Sequence, residues 1–256
     1  MTFTELQKRI NQNAPVDFGD VFSKAFNLFQ KIWVEGFVMQ LIVFGVLVGV
    51  MFVLYIPMLA GVLIVDTTTF ETSSELPGII FLIGMFFFYL FFIMAMIFFS
   101  TGLQAAFYRQ IRMKDRGMEN ERGVSWGMFF KKKYFTKLLL HSLATLGIVV
   151  ASYLLCFFPI LYAIVPLQFI SVIFAFNPEL SVKELITASF TIGTKKWGIA
   201  FGLTIVCSFL AQMVGFMMCG IGVLFTASFV YLPVYFIYKE VIGFYEDDET
   251  IAQIGA

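Results

Sequence analysis

The stretch that decides the fold is Gly36–Val65, which reads GFVMQLIVFGVLVGVMFVLYIPMLAGVLIV and contains no charged residue. A transmembrane helix needs about 20 consecutive apolar residues, so this run is long enough to cross a bilayer. Pro77–Tyr108 is also uncharged, and Leu138–Asn177 and Gly198–Tyr238 are uncharged over about twice the length of one crossing. We interpret each double-length run as a helical hairpin, because one helix of that length would leave the bilayer. The sequence therefore predicts six transmembrane helices in three hairpins.

The predicted fold class is all-α, with a single membrane domain over residues 1–256. The predicted spans cover approximately residues 36–64, 78–108, 138–158, 160–176, 198–218 and 221–238. The composition supports this interpretation, because 60% of the residues are hydrophobic and 13% are charged. Soluble proteins have ~45–50% apolar and ~25% charged residues. The formal net charge is zero, which argues against nucleic acid as a partner.

The positive residues predict the orientation of the spans. All 17 lysines and arginines fall within residues 8–31, 109–137 and 183–196 or at Lys239, and six crossings place these segments on one side of the membrane. The positive-inside rule assigns that side to the cytoplasm. An odd number of crossings would move a basic cluster to the outside. The sequence therefore predicts that both termini are cytoplasmic.

A short amphipathic phrase occurs twice, as AFNLFQKIW at Ala25–Trp33 and as SFTIGTKKW at Ser189–Trp197. When residues 17–33 are laid over residues 181–197, an offset of 164 residues, apolar positions match apolar ones and polar positions match polar ones. Both copies begin with a residue that can cap a helix, and Ser181 with Glu184 has the form of a capping box. We therefore predict an amphipathic helix in each copy.

These helices are too polar on one side to cross a bilayer, but they can lie in its interface. Interfacial helices are predicted over approximately residues 18–33 and 182–196, with a weaker third copy over residues 126–135. Phe26 belongs to the apolar stripe of the first copy. Lys133 interrupts the stripe of the third copy, so whether that copy is a true repeat stays open. The helices either anchor the hairpins or form a cytoplasmic collar for a partner or for lipid headgroups.

The basic segment between residues 109 and 137 is the strongest local signal for binding. Near an anionic leaflet, each lysine or arginine contributes up to ~1 kcal/mol to membrane attachment, and tryptophan favours the headgroup level. We therefore predict contacts with anionic lipid headgroups or with a partner protein at Trp33, Trp197, Arg109, Arg112, Lys114, Arg116, Lys131, Lys132 and Lys133. The alternative is that these charges only set the topology.

Four segments carry a resemblance to a known family: FSKAFNLFQKIW from Phe22, GLQAAFYRQIRMKDRG from Gly102, NPELSVKELITASFTIGTKKWG from Asn177 and YFIYKEVIGFY from Tyr235. They resemble bacterial six-helix integral membrane proteins related to the membrane domain of glycerophosphodiester phosphodiesterases. The resemblance implies a multi-pass protein of the bacterial inner membrane. It does not imply phosphodiesterase activity, because in the family that chemistry belongs to a separate soluble domain.

The residues that chemistry needs inside a membrane are scarce in this chain. Charged residues within spans usually mark ion and proton pathways, and the predicted spans contain none. His141 is the only histidine, and the three cysteines, Cys156, Cys207 and Cys219, lack a paired spacing, so we interpret them as packing residues. The sequence predicts no catalytic, cofactor-binding or metal-binding residue. Intramembrane amides usually join helices, and we assign that role to Gln40, Gln104, Gln168 and Gln212.

These observations favour a non-catalytic membrane protein. The predicted function is that of an accessory or scaffold subunit of a membrane protein complex, or of a protein that organises lipids. Its predicted partners are anionic membrane lipids and other membrane proteins. The alternative is a permease for a lipid-like or amphiphilic small molecule, which a hydrated, polar-lined cavity would favour.

Overall fold

The computed structural model describes residues 1–71, 76–117, 124–155 and 158–244, and these residues form helices and turns without any strand. Two short 3-10 segments, Met128–Phe130 and Ala227–Val230, lie before the fourth and the last helix. The α-helices in chain order are α1 Phe3–Gln12, α2 Phe18–Glu71, α3 Leu76–Asp115, α4 Lys132–Leu154, α5 Phe158–Phe176, α6 Val182–Lys195, α7 Trp197–Met217, α8 Gly222–Thr226 and α9 Tyr231–Val241.

Six segments of the described chain are long and apolar enough to cross a membrane. They are Phe18–Ile56, Ile79–Asp115, Lys132–Leu154, Pro159–Phe176, Trp197–Met217 and Gly222–Val241. The predictions of an all-α fold and of a multi-pass membrane protein are therefore confirmed. The sixth segment is not one regular helix, because a 3-10 segment separates α8 from α9.

Helix α2 begins where the sequence predicts, but it does not end there. Asp17 caps it, and its Oδ1 accepts a hydrogen bond of 2.8 Å from the backbone N–H of Asp20. The helix then continues without a break to Glu71, so the prediction of a separate helix over residues 18–33 is wrong. Packing explains this continuity. Phe229 contacts Phe29 and Phe225 stacks on Phe37, so the segment before α9 packs along both the polar first part of α2 and the apolar part that follows.

The third copy of the amphipathic phrase does not form one helix over residues 126–135. Instead, a 3-10 turn at Met128–Phe130 is followed by Lys131 in an extended conformation, and α4 starts at Lys132. Phe129 is fully buried in this turn. Burial of that ring favours a compact turn over a helix with one exposed face, so the prediction of a third interfacial helix is wrong.

Helix α6 matches the prediction for residues 182–196 closely. Its capping box is present, because Glu184 N–H donates to Ser181 Oγ over 3.3 Å and Ser181 N–H donates to the Glu184 carboxylate over 2.8 Å. Hydrogen bonding from Ser181 holds the pKa of the Glu184 carboxyl below its ordinary value. The local pattern of the sequence was sufficient to place this helix.

The two copies of the phrase bury the same four positions at the offset of 164 residues. The buried residues are Val21, Ala25, Leu28 and Ile32 in α2, and Leu185, Ser189, Ile192 and Lys196 in and after α6. Phe26 is not among them, since 47% of its surface is exposed, so its placement on a buried stripe is wrong. The buried side follows a spacing of four, three and four residues, as one face of a helix requires, and Phe26 lies beside that face.

Sequence reasoning missed α1, a short amphipathic helix capped by Thr2. Its buried residues Leu6 and Ile10 pack against the rest of the protein. The end of α1 and the residues after it are held from α6, since Lys195 Nζ donates to Asn11 Oδ1 over 2.7 Å and Lys196 Nζ to Ala14 O over 2.6 Å. Cations near a helix C-terminus are favourable because the carbonyl groups there carry partial negative charge.

The described helices divide into a packed body and an exposed arm. We define the arm as residues 40–71 of α2 and 76–97 of α3, and the body as the remaining described residues. Within residues 40–56, 58, 59, 61 and 79–97 of the arm, only Gly61, which lies against Phe81, is buried. In the most apolar part of each helix, 6% of the residues of α2 and 0% of the residues of α3 are buried, compared with 61% for α5. The arm therefore offers its surface to the surroundings, while the body holds the core.

Candidate functional site

Two of the predicted contact residues, Arg109 and Arg112, lie inside the body and not at its surface. Arg109 is 8% exposed, its Nε donates to Ala175 O over 2.8 Å, and its guanidinium lies 5.2 Å from the ring centre of Phe129. The Arg112 guanidinium lies 4.1 Å from the ring centre of Phe244. Both cations therefore hold α3 to the end of α5 and to the C-terminal segment. Burial removes both residues from headgroups and from a partner's surface, so it does not support their predicted lipid or partner contacts.

Two of the four lysines of the predicted site, and the neighbouring Lys137, join elements of the fold. Lys114 forms an ion pair of 3.2 Å with Glu35, which joins α3 to α2, and Lys133 forms one of 3.2 Å with Glu179. Lys137 Nζ donates to Pro178 O over 2.8 Å, so it holds α4 to the turn after α5. The residues that remain exposed are Arg116, Lys131, Lys132 and Lys133. Of the predicted cations, these four are the most accessible to an anionic surface, since Lys114 is half-buried.

The two tryptophans of the predicted site stand in different environments. Trp33 is 44% exposed on α2, and its ring centre lies 6.1 Å from that of Phe225. Trp197 begins α7, stacks on Phe201 and donates from Nε1 to Tyr162 O over 3.2 Å. Trp33 is thus available to the interface of a membrane, whereas Trp197 also joins α7 to α5.

A polar node that sequence reasoning missed lies between α3 and α9. Asp115 accepts a hydrogen bond of 2.8 Å from the Tyr235 hydroxyl and an ion-paired hydrogen bond from Lys239 Nζ. Nearby, Asn177 Nδ2 donates to the Tyr238 hydroxyl over 2.8 Å. These partners are 120, 124 and 61 residues apart in sequence, so no local pattern could have predicted them.

Two of the four amides expected to join helices do so. Ser171 Oγ donates to Gln104 Oε1 over 2.9 Å, which joins α5 to α3. Thr204 Oγ1 donates to Gln168 Oε1 over 3.0 Å, which joins α7 to α5. The prediction is confirmed for Gln104 and Gln168, whereas Gln212 is exposed on α7. Gln104 and Gln168 are thus each paired with a side chain of a neighbouring helix.

The residue types that bind metals or act as nucleophiles are dispersed. Within the described ranges, no three His, Cys, Asp or Glu side chains are close enough to hold a metal ion. His141 is buried, and its Nε2 lies 3.4 Å from the Thr145 hydroxyl. Cys207 is buried and Cys219 is exposed, while Cys156 lies outside the described residues. The packing role predicted for the cysteines therefore fits Cys207 but not Cys219.

An open cleft of about 640 Å³ lies on the body near the start of α2. Its charged lining consists of Asp17, Asp20, Lys24 and Glu240, and the Lys24 ammonium forms ion pairs with Asp20 and Glu240. The Lys24 ammonium therefore connects α2 to α9 across the cleft. Asp20, Lys24 and Glu240 are engaged in these ion pairs, so a charged ligand in the cleft would have to displace one of them.

Comparison of the chain with models of protein families, with curated proteins and with solved structures found no match. The resemblance to six-helix bacterial membrane proteins therefore stays a prediction. Taken together, the contacts describe a body whose polar groups hold helices together and an arm whose apolar surface is uncovered. That arrangement is suited to contact with lipid or protein.

Proposed function

We propose that this chain is a non-catalytic, multi-pass protein of a bacterial inner membrane that acts as an accessory or scaffold subunit of a larger membrane assembly. The basic side of the protein and both termini face the cytoplasm. The proposal includes membership of the six-helix family that its sequence resembles.

The observation that carries the proposal is the uncovered arm. Its two helices contact each other, for example where Gly61 meets Phe81, but its outer surface is left free by the described chain. Large apolar side chains such as Phe52 and Phe87 project from it. Membrane helices associate through van der Waals packing and not through a hydrophobic effect, so such a surface can take either lipid or another protein.

Two further features support contact as the mode of action. Several charged and amide groups of the body, such as Arg109 and Gln104, are engaged in internal bonds that hold helices in place. The accessible cations Lys131 and Lys132 at the start of α4 are placed to attract anionic headgroups, each by up to ~1 kcal/mol. The lipid contacts thus require only part of the predicted basic segment.

The test is co-purification in a gentle detergent or in native nanodiscs, followed by mass determination of the complex. Replacing Phe52 and Phe87 together by Ala shortens two arm side chains and keeps the arm apolar, so insertion should persist while the larger assembly is lost. Leu154→Ala with Leu161→Ala is the matched control, since both residues are exposed apolar positions of the body.

Two results would contradict the proposal. One is a wild-type protein that is monomeric and without a protein partner in nanodiscs prepared directly from its own membrane. The other is saturable uptake of a solute by the purified protein alone in liposomes, which is the behaviour of a permease. Equal loss of assembly in the arm variant and in the control would show that the arm is not the surface on which the assembly depends.

A further inference from the structure

We infer that the hairpin formed by α7 and α8 enters the bilayer from the cytoplasmic side and ends within it, so that its tip contacts acyl chains and does not emerge on the far side. Length and composition alone permit α7 and the segment Gly222–Val241 to be two full crossings. Their depth follows from the way they pack on α2. This inference does not depend on the accessory role proposed above.

The segment from α8 to α9 lies antiparallel along the first part of α2. At one end, Lys24 Nζ lies 2.9 Å from the Glu240 carboxylate. At the other end, the rings of Phe37 and Phe225 stack with their centres 4.2 Å apart. Phe29 meets Phe229 between these points, at 5.2 Å. Residues 225–240 therefore occupy the same depth as residues 24–37 of α2.

That part of α2 carries a polar face that the protein leaves uncovered. Ser23, Lys24, Asn27, Gln30 and Lys31 are all exposed. A charged side chain at the centre of a membrane helix costs about 2.5–3.5 kcal/mol, even by the lowest estimates. This face is therefore expected to lie outside the hydrocarbon, and the exposed indole of Trp33 together with the neighbouring ion pair of Glu35 with Lys114 marks its boundary.

The depth of the hairpin tip can be estimated from this boundary. Because Phe225 is level with Phe37, the turn at residues 218–221 is level with α2 about ten residues after Trp33. At a rise of about 1.5 Å per residue, that is roughly 15 Å above the boundary. The hydrocarbon core is about 30 Å thick, so the tip ends near its middle. By contrast, the arm continues along α2 to Glu71 and is long enough to cross.

The chemistry of the tip agrees with this depth. The turn and its flanks read FMMCGIG over residues 216–222, without a polar side chain. Phe216 and Met217 are 85% and 81% exposed, and Met218 and Ile221 are exposed as well. Turns that face water often contain Asn, Asp or Ser, and the sequence DTTTFETSSE over residues 66–75, at the end of α2 and before α3, is polar in this way. The tip is thus built to contact acyl chains.

The natural Cys219 at this tip provides the test. In a protein with Cys156→Ser and Cys207→Ala, a membrane-impermeant maleimide should fail to label Cys219 from either side of sealed vesicles, and should label it fully in SDS. Two controls in a cysteine-free protein fix the sides: Ser73→Cys should react from outside, and Asn27→Cys from the cytoplasmic side. Labelling of Cys219 from outside overturns the inference, because the hairpin would then cross the bilayer.

A spin label on Cys219 gives an independent measurement of depth. Molecular oxygen, which concentrates in the hydrocarbon, should relax the label strongly. A water-soluble nickel chelate should relax it weakly, and more when the chelate is added on the cytoplasmic side than when it is added outside. Strong relaxation by the chelate from the cytoplasmic side would show that the tip does not enter the bilayer. Stronger relaxation from outside would show that it crosses. Either result refutes the proposed depth.

Discussion

Replacement of Gly36 by Ala should destabilise the protein, because α2 approaches the 3-10 segment before α9 most closely at this residue. A Cβ atom added to Gly36 would lie 2.6 Å from Ser228 Cβ and closer still to Ser228 Oγ, and Ser228 is fully buried. Real Cβ atoms do not tolerate such contacts, so α2 or the 3-10 segment has to move. The close packing of α2 on this segment is what sets the depth of the last hairpin.

The magnitude follows from two opposing effects. Overpacking a well-packed site costs typically about 1–3 kcal/mol. Replacing Gly by Ala inside a helix stabilises the protein by about 0.5–1 kcal/mol, because Ala has the higher helix propensity. Gly36→Ala should therefore lower the free energy of unfolding by about 1 kcal/mol, within a range of about 0–2.5 kcal/mol. Gly45→Ala is the matched control in the same helix, since no atom lies within 4 Å of its added Cβ, and it should be neutral or stabilising.

The assay is reversible unfolding in mixed micelles with increasing SDS, followed by circular dichroism and tryptophan emission. The double variant Gly36→Ala with Ser228→Gly removes the two Ser228 atoms that clash with the new methyl group, so it should recover much of the loss. A coupling energy near zero in this double-mutant cycle would refute the reasoning. So would a Gly36→Ala protein as stable as Gly45→Ala, since both results would mean that α2 and the 3-10 segment are not in close contact.

Three further changes test other contacts of the body. Gln104→Leu should weaken the joint between α3 and α5 by about 0.6 kcal/mol, the average for a hydrogen bond between membrane helices, and Ser171→Ala should show no additional loss in the double variant. Ser181→Ala should cost about 0.5–2 kcal/mol by removing the cap of α6, measured as SDS unfolding. Because the folded-state pKa of Glu184 is lowered, its contribution is present above the ordinary carboxyl pKa and is lost as pH falls through the folded-state value; Glu184→Gln should abolish that acid dependence. Arg109→Lys loses the Nε–H that bonds Ala175 O, so it should lower stability although the charge is kept, and an unchanged unfolding midpoint would contradict this.

The sequence was sufficient for features that depend on neighbouring residues. The length of the uncharged runs predicted six segments able to cross a membrane, since a bilayer imposes a minimum length on any apolar helix. The caps at Asp17 and Ser181 were also predictable, because a cap joins residues only three positions apart. The offset of 164 residues even located two helices that bury matching positions, although it assigned Phe26 to the wrong side.

Tertiary structure decided what the basic residues do. The charge pattern of the sequence between Arg109 and Lys137 predicts a membrane-facing cluster of cations. In the fold, the last carbonyl groups of α5, such as Ala175 O, have no partner within the helix and can accept from Arg109. The ring of Phe129 offers a negative face to the same guanidinium, so Arg109 is more favourable inside than at the surface. These partners come from distant parts of the chain, and charge patterning cannot locate them.

The sequence by itself thus determined that the chain is helical, apolar and able to cross a membrane several times, because hydrophobicity, helix period and capping are local properties. Only the tertiary structure decided that α2 is one helix from Phe18 to Glu71, and that the segment before α9 packs along its first part. The physical reason is that lipid and protein interior are equally apolar. An apolar run is therefore compatible with either environment. Whether it contacts lipid or protein depends on which helix face it packs against in the folded structure.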